Sequence, residues 1–396
     1  MSKITEALCA DEALKAQKLV RKLIAEHTSP WQQPDLQEYC RMRWTSRFLT
    51  AAEQNKKAMG ASGRRAKKEP REALLRRFLS GHDFDVPLYD APLKRVKTDV
   101  TFLFVPGMLN GMLPVRAFVP AMETVAAQTG IRFLRADVHP LAPPDANSVD
   151  IVRAIEEGIG LDSGGRLIPK VQRQPVAGKI VLMGYSKGMP DITAFLVNYP
   201  KLAERVVAVV SWAGANGGAY AADSAPTELL SMVEVSDHKQ LQTLLHLVGM
   251  VPLAGNYKPL RRSEEARPGA CFAALQTAAR EAFWKAHSTT LDNLGIPFFT
   301  FAGCESPLSV PWFQLKDSLS LLTHSAENDM QLTRAQANVP LANRVEMPLL
   351  HGHHWDLSYP AFPMVWSGGS RKLSHPFPKS AALSAHVGLL ADLGLW

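Results

Sequence analysis

Cysteine is scarce in this chain: there are four in 396 residues, Cys9, Cys40, Cys271 and Cys304, far apart and with no C-x-x-C pair. That excludes a disulfide-stapled scaffold and argues against a structural zinc site. It fits free thiols in a reducing compartment, so a cytoplasmic location is expected. No apolar run approaches about eighteen residues, so no transmembrane helix is expected. The first residues, MSKITEALCADEALKAQK, carry acidic side chains and no apolar stretch ahead of a small-residue cleavage site, and do not read as a secretory signal. There is no internal repeat. With 46% hydrophobic and 20% charged residues, the composition is that of a globular protein with a large core.

Net charge is also missing from most of the chain. The net +7 is concentrated at one end, because residues 1–98 hold 20 Lys/Arg against 12 Asp/Glu while the rest hold 24 against 25. A basic run from Lys56-Lys57 through Arg64-Arg65-Ala66-Lys67-Lys68 reads first as a solvated linker between helices. Its functional alternative is peripheral contact with an anionic membrane through residues 56–77. No nucleic-acid partner is expected.

The texture of the chain changes at about residue 84. Before it, residues 1–83 read as a basic helical extension. Ile4, Leu8, Leu14, Leu19 and Leu23 are spaced for one helix face, a second helix starts near Pro34 and runs through Trp44 and Leu49, and a third spans Glu69 to Leu79. After it, strands alternate with helices. The expected strands are Val100–Val105, Ile131–Leu134, Lys179–Met183, Val206–Trp212, Ile296–Phe301 and Arg344–Leu350. The expected helices are Val115–Gln128, Val149–Ile159 and Asp191–Asn198. Such alternation of continuous apolar strands with helices means a mainly parallel sheet covered on both faces, an α/β fold. The alternation stops over 219–294, which reads as a helical cap insertion containing the apolar run Leu241–Val251. A buried helix of the main layer is the alternative.

Gly184-Tyr185-Ser186-Lys187-Gly188 follows the strand ending at Met183 and precedes a helical pattern. A G-x-S-x-G at a strand–turn–helix junction places the serine in a strained turn at a helix N-terminus. Its flanking glycines allow close backbone approach, and the free N–H groups and helix dipole favour an anionic transition state. Upstream, Val100–Val105 ends in Pro106-Gly107-Met108-Leu109-Asn110-Gly111, a loop that can present a backbone N–H. The N–H groups of Met108 and Lys187 are therefore the candidate oxyanion donors.

A serine at its ordinary pKa needs a histidine base and an orienting carboxylate. His351-Gly352-His353-His354-Trp355-Asp356 lies past the last expected strand. His354 is the leading base, with His353 and His351 as alternatives. Three histidines raise metal binding, but no second cluster of ligands accompanies them, and no metal is expected. Asp329 is the leading acid, Glu305 the alternative, with Asp317 and Asp356 behind. The side chain of Lys187 reads as solvent-facing, or else as a cation turned toward an acidic substrate.

Taken together, these residues resemble the α/β-hydrolase superfamily, lipase and esterase branch, over about residues 98–396. Pro106-Gly107-Met108 is similar to the oxyanion loop of bacterial lipases, with proline in place of histidine. Residues 213–223 (AGANGGAYAAD) resemble their Gly-rich stretch, and His354-Trp355-Asp356 resembles their histidine followed by an apolar residue and aspartate. Asn328-Asp329 resembles their Asn-Asp-Gly motif, with Met330 at the glycine position. The resemblance implies an α/β-hydrolase domain over 84–396 and a Ser186–His354–Asp329 triad forming an acyl-enzyme. It further implies a small-molecule ester substrate with lipid-like character, and no cofactor. An acyltransferase or thioesterase using the same triad is the alternative, followed by a non-catalytic binding protein.

Overall fold

The computed structural model describes residues 3–9, 12–54, 70–80, 93, 95, 98–231, 261–362 and 377–396. The apolar run Leu241–Val251 and the basic run 56–68 lie outside the described residues. Nine strands are described: β1 (Leu79–Ser80), β2 (Thr101–Val105), β3 (Arg132–Arg135), β4 (Ile180–Tyr185), β5 (Val206–Trp212), β6 (Phe298–Phe301), β7 (Gly303–Cys304), β8 (Arg344–Glu346) and β9 (Leu349–His351). Six form a sheet in the order β3-β2-β4-β5-β6-β8, and every pairing in it is parallel.

The sheet explains why its strands are apolar at every position. Side chains alternate between faces along a strand, and here both faces are covered. Phe102 and Phe104 of β2 join one cluster with Val181, Met183 and Tyr185 of β4. Leu103 and Val105 join the other with Ile180 and Leu182. The first face is covered by the helices Pro34–Gln54, Val119–Thr129 and Lys379–Asp392. The second is covered by Pro144–Glu156, Gly188–Asn198 and Thr277–Asn293.

Several boundaries differ from expectation, each for a local reason. The run Arg344–Leu350 is two strands in two sheets, because Pro348 cannot donate to a ladder. β8 closes the main sheet, while β9 joins β1 and β7 in a small three-stranded one. The helix expected from Val115 begins at Val119, after Phe118, whose left-handed φ of 58° precludes helix. The helix expected at 149–159 runs from Pro144 to Glu156, with a proline at its first turn and Gly158 at φ 66° beyond its end. The helix expected from Asp191 begins at Gly188, directly after the serine turn.

The N-terminal helices belong to the same core as the sheet. The face expected to run through Ile4, Leu8, Leu14, Leu19 and Leu23 is divided between two helices, Lys3–Cys9 and Ala13–Glu26: Ile4 and Leu8 are buried, whereas Leu14 is 75% exposed and Ala16 and Val20 are buried instead. In Pro34–Gln54, Trp44 stacks on Phe48 at 5.1 Å and meets Phe301 of β6 at 4.9 Å. Its indole Nε1 donates to His386 Nδ1 of the C-terminal helix at 2.9 Å. Asp392, from the same C-terminal helix, accepts from Arg43 Nε at 2.8 Å and from Arg47 Nε and Nη2 at 2.8 and 2.7 Å. Of the basic stretch 56–77, Arg71 is buried against Glu53 and Thr50, and Arg76 and Arg77 are exposed. No helix among the described residues is long and apolar enough to cross a membrane.

Candidate active site

Ser186 sits where β4 turns into the helix Gly188–Asn198, with φ 54°, a left-handed backbone that costs a non-glycine residue about 1 kcal/mol. The turn is held by hydrogen bonds from Ser186 N to Ala213 O at 3.1 Å, and from Met189 N and Ala215 N to Ser186 O at 3.1 and 3.0 Å. The glycines around it are steric necessities. A Cβ on Gly188 would stand 2.1 Å from Val105 O, and one on Gly107 would stand 2.9 Å from Ser186 Cβ. The loop at Gly107 and the serine turn thus approach as closely as backbones allow.

Met108 and Lys187 both line the cavity above Ser186. Their N–H groups donate to no acceptor among the described residues, so they are available to a developing oxyanion. The Lys187 side chain is neither solvent-facing nor free to meet an acidic substrate. It is 2% exposed, and its Nζ lies 2.9 and 3.0 Å from the two carboxylate oxygens of Asp191. Asp191 Oδ2 also accepts from Asn147 Nδ2 at 2.9 Å. Burial pushes the Asp191 carboxyl up to about 6, against the opposing pull of the Lys187 ammonium and the Asn147 amide. The sequence reading overlooked Asp191, although its spacing of four residues along one helix from Lys187 was a usable signal.

His354 Nδ1 lies 2.7 Å from Asp329 Oδ2, and both side chains are buried. Asp329 Oδ1 accepts from the N–H groups of Gln331 and Leu332 at 3.0 and 2.8 Å, and His354 N donates to Asp329 O at 2.8 Å. Nε2 is the other ring nitrogen. It is buried and has no hydrogen-bond partner among the described residues, so its bond to the Ser186 hydroxyl is not made here. Tyr185, the residue before the serine, also went unnoticed in the sequence. Its ring lies 4.9 Å from the His354 ring and its hydroxyl donates to His354 O at 3.0 Å, which ties the histidine loop to the serine turn. Met330, where the resemblance has glycine, adopts φ 76°, a conformation that glycine reaches without strain.

The alternatives go elsewhere. Glu305 is half-buried and its Oε1 accepts from Ser306 N at 2.8 Å. Asp356 accepts from Phe377 N at 3.2 Å. His353 Nδ1 accepts from Asp356 N at 3.1 Å, and His351 is exposed. Asp317 lies in the cavity wall. Among the described residues no group of His, Cys, Asp or Glu is arranged to hold a metal ion.

The cavity over Ser186 has a volume of about 130 Å³. One side is apolar, with Ala219, Phe272 and Leu275, while Gln314, Asp317 and Gln331 supply polar groups. Phe272 and Leu275 come from the stretch expected to form a cap.

A solved structure shares this architecture. A metagenomic carboxyl esterase matches with a TM-score of 0.63 and 21% identity, over 88% of this chain and 92% of its own. The Staphylococcus hyicus lipase matches with a TM-score of 0.47 and 12% identity over 77% and 98%, and the mature Bacillus licheniformis lipase with 0.44 and 17% over 67% and 89%. At such identities the likeness establishes the fold: this chain has the α/β-hydrolase fold. No protein-family model and no curated protein matches the sequence.

Proposed function

We propose that the protein is a serine hydrolase that cleaves carboxylic esters through Ser186, His354 and Asp329. The observation that carries this is the Asp329–His354 bond of 2.7 Å, tied by Tyr185 to a serine held at φ 54° between strand and helix. Neither a surface carboxylate nor a core histidine needs such an arrangement, and the fold shared with a carboxyl esterase agrees with it.

The chemistry follows from the geometry. The Ser186 hydroxyl attacks the acyl carbon as its proton passes to His354 Nε2, and Asp329 stabilises the imidazolium through Nδ1–H. The carbonyl electrons move onto oxygen, where the N–H groups of Met108 and Lys187 receive them. Collapse of this intermediate expels the alcohol, protonated by His354. Water, deprotonated by the same nitrogen, then releases the acid and regenerates Ser186. The strained φ at Ser186 keeps the nucleophile at the turn, and the Lys187–Asp191 pair fixes the side chain of one oxyanion donor to its helix. The substrate is a small ester with an apolar portion, matched to Phe272 and Leu275. Cys40, Cys271 and Cys304 are free thiols, which supports a cytoplasmic enzyme.

A fluorophosphonate probe should label the protein at Ser186, and the label should be lost in Ser186→Ala. Folded protein that resists the probe and leaves a panel of nitrophenyl esters intact would sink this reading.

A further inference from the structure

Two residues that carry charge are among the described lining of the cavity at Ser186, Lys187 and Asp317. They differ in one respect. The Lys187 charge is met inside the protein by Asp191, at 2.9 and 3.0 Å. Asp317, on the helix Leu315–Leu322, is half-buried and makes no hydrogen bond or ion pair with any described residue.

A carboxylate withdrawn from water without a partner is destabilised, and burial does raise the Asp317 pKa. The neighbouring Lys316 pulls the other way, but it is exposed and its charge is screened by water. Tyr220, whose ring stacks on His324 at 3.8 Å, stands in the same cavity. A cavity whose described lining holds both an aromatic ring and a carboxylate with no described partner suits a cation, above all a bulky, weakly hydrated ammonium. Among the described lining residues, the one positive side chain an anionic group could meet, Lys187, is already paired with Asp191.

We propose that Asp317 is a specificity-determining residue, by which the enzyme selects esters bearing an ammonium or quaternary ammonium group over neutral ones and discriminates against anionic ones. The proposal rests on the ester-hydrolase reading of the same site. The cation pairs with Asp317 as the ester carbonyl settles on Ser186, so the carboxylate gains a partner only in the complex. Differential binding of this kind separates substrates of equal shape, because size-matched neutral groups leave Asp317 unpaired.

The test compares matched esters. Choline butyrate is set against its carbon isostere, in which a tert-butyl group replaces the trimethylammonium. The nitrophenyl ester of trimethylammonio-butanoate is set against its own tert-butyl isostere, so that the cation is tried on both sides of the ester. Calorimetric binding of choline and of its isosteric alcohol runs alongside and needs no turnover. We expect the cationic member of at least one pair to have a kcat/KM about tenfold higher, corresponding to ~1.4 kcal/mol. That ratio should fall to about one in Asp317→Asn and below one in Asp317→Lys, with thermal midpoints reporting that both variants are folded.

If esters are cleaved without cationic preference, or if the preference survives in Asp317→Asn, the proposal is overturned and the hydrolase reading stands. If nothing is cleaved or labelled but choline binds about tenfold tighter than its isostere in an Asp317-dependent way, the hydrolase reading fails and the cation site stands. If choline is neither bound preferentially nor preferred as an ester, both fail together only when labelling fails too.

Discussion

Asp392 and Asp329 are both buried carboxylates, but they lie in regions of opposite character. Asp392, in the helix layer, is clamped by Arg43 and Arg47, with three bonds of 2.7–2.8 Å that join the helix Pro34–Gln54 to the C-terminal one. Asp329, in the loops at the ends of the strands, is held by two backbone amides and one imidazole. A carboxylate between guanidinium groups has its charge already answered, and its work is to hold helices together. A carboxylate bound by neutral donors meets no cation at rest, and in the proposed mechanism its partner is an imidazolium that forms only during reaction. The residue type is the same, and the donors decide whether it serves stability or chemistry.

The contrast is sharpest in substitutions that keep shape and remove charge. Asp329→Asn should lower kcat on a short nitrophenyl ester about ten-thousandfold, with little change in thermal midpoint. An Asp329→Asn enzyme of near wild-type turnover would overturn the assignment of the acid.

Asp392→Ala should do the reverse. It leaves Arg43 and Arg47 without their carboxylate and should cost roughly 3–5 kcal/mol in urea unfolding, with fluorophosphonate labelling retained wherever the variant is folded. Labelling lost together with the clamp would show that the two regions are not separable.

Lys187→Met tests a third case, a buried pair within one helix beside the nucleophile. It should destabilise by up to a few kcal/mol, because Asp191 is left buried and unpaired, and the double variant Lys187→Met with Asp191→Leu should recover most of that loss. A double variant no more stable than the single would show that Asp191 depends on Asn147 rather than on Lys187.

The smallest effect is in pH dependence. Burial lowers His386 to about 3 and His139 to about 4, so the folded protein keeps both neutral where the unfolded chain takes up protons. Stability from these groups is complete above about pH 6.5 and is lost as pH falls toward their folded values. Asp191, raised to about 6, acts in the opposite sense below that pH and offsets part of the loss. Thermal midpoints should therefore decline gradually from pH 7 to pH 4.5, and the decline should be shallower in His386→Gln.

Much of this was legible in the residues. The strand 101–105 and the serine turn could be read because apolar continuity and glycine placement are local constraints, and the Asp329–His354 pairing had its order along the chain in its favour. Element ends were misread where one residue decided them, at Pro348 and at Phe118 with its left-handed φ. The fate of Lys187 was misread because a lysine beside a nucleophile has several uses, and only the Asp191 carboxylate settles which one applies. Leu14 was placed on a buried face and is exposed, since helical periodicity identifies a stripe without saying what packs against it.

By itself the sequence determined the alternation of strand and helix, the serine at its turn and the glycines that make the turn possible, because these rest on sterics among near neighbours. Only the tertiary structure decided which carboxylate meets His354, that Lys187 is neutralised by Asp191 while Asp317 has no partner among the described residues, and that the basic N-terminal helices are bound to the far end of the chain. Each of these depends on groups brought together across the fold, such as Arg43 and Asp392, 349 residues apart, and local pattern carries no record of which distant charge will arrive.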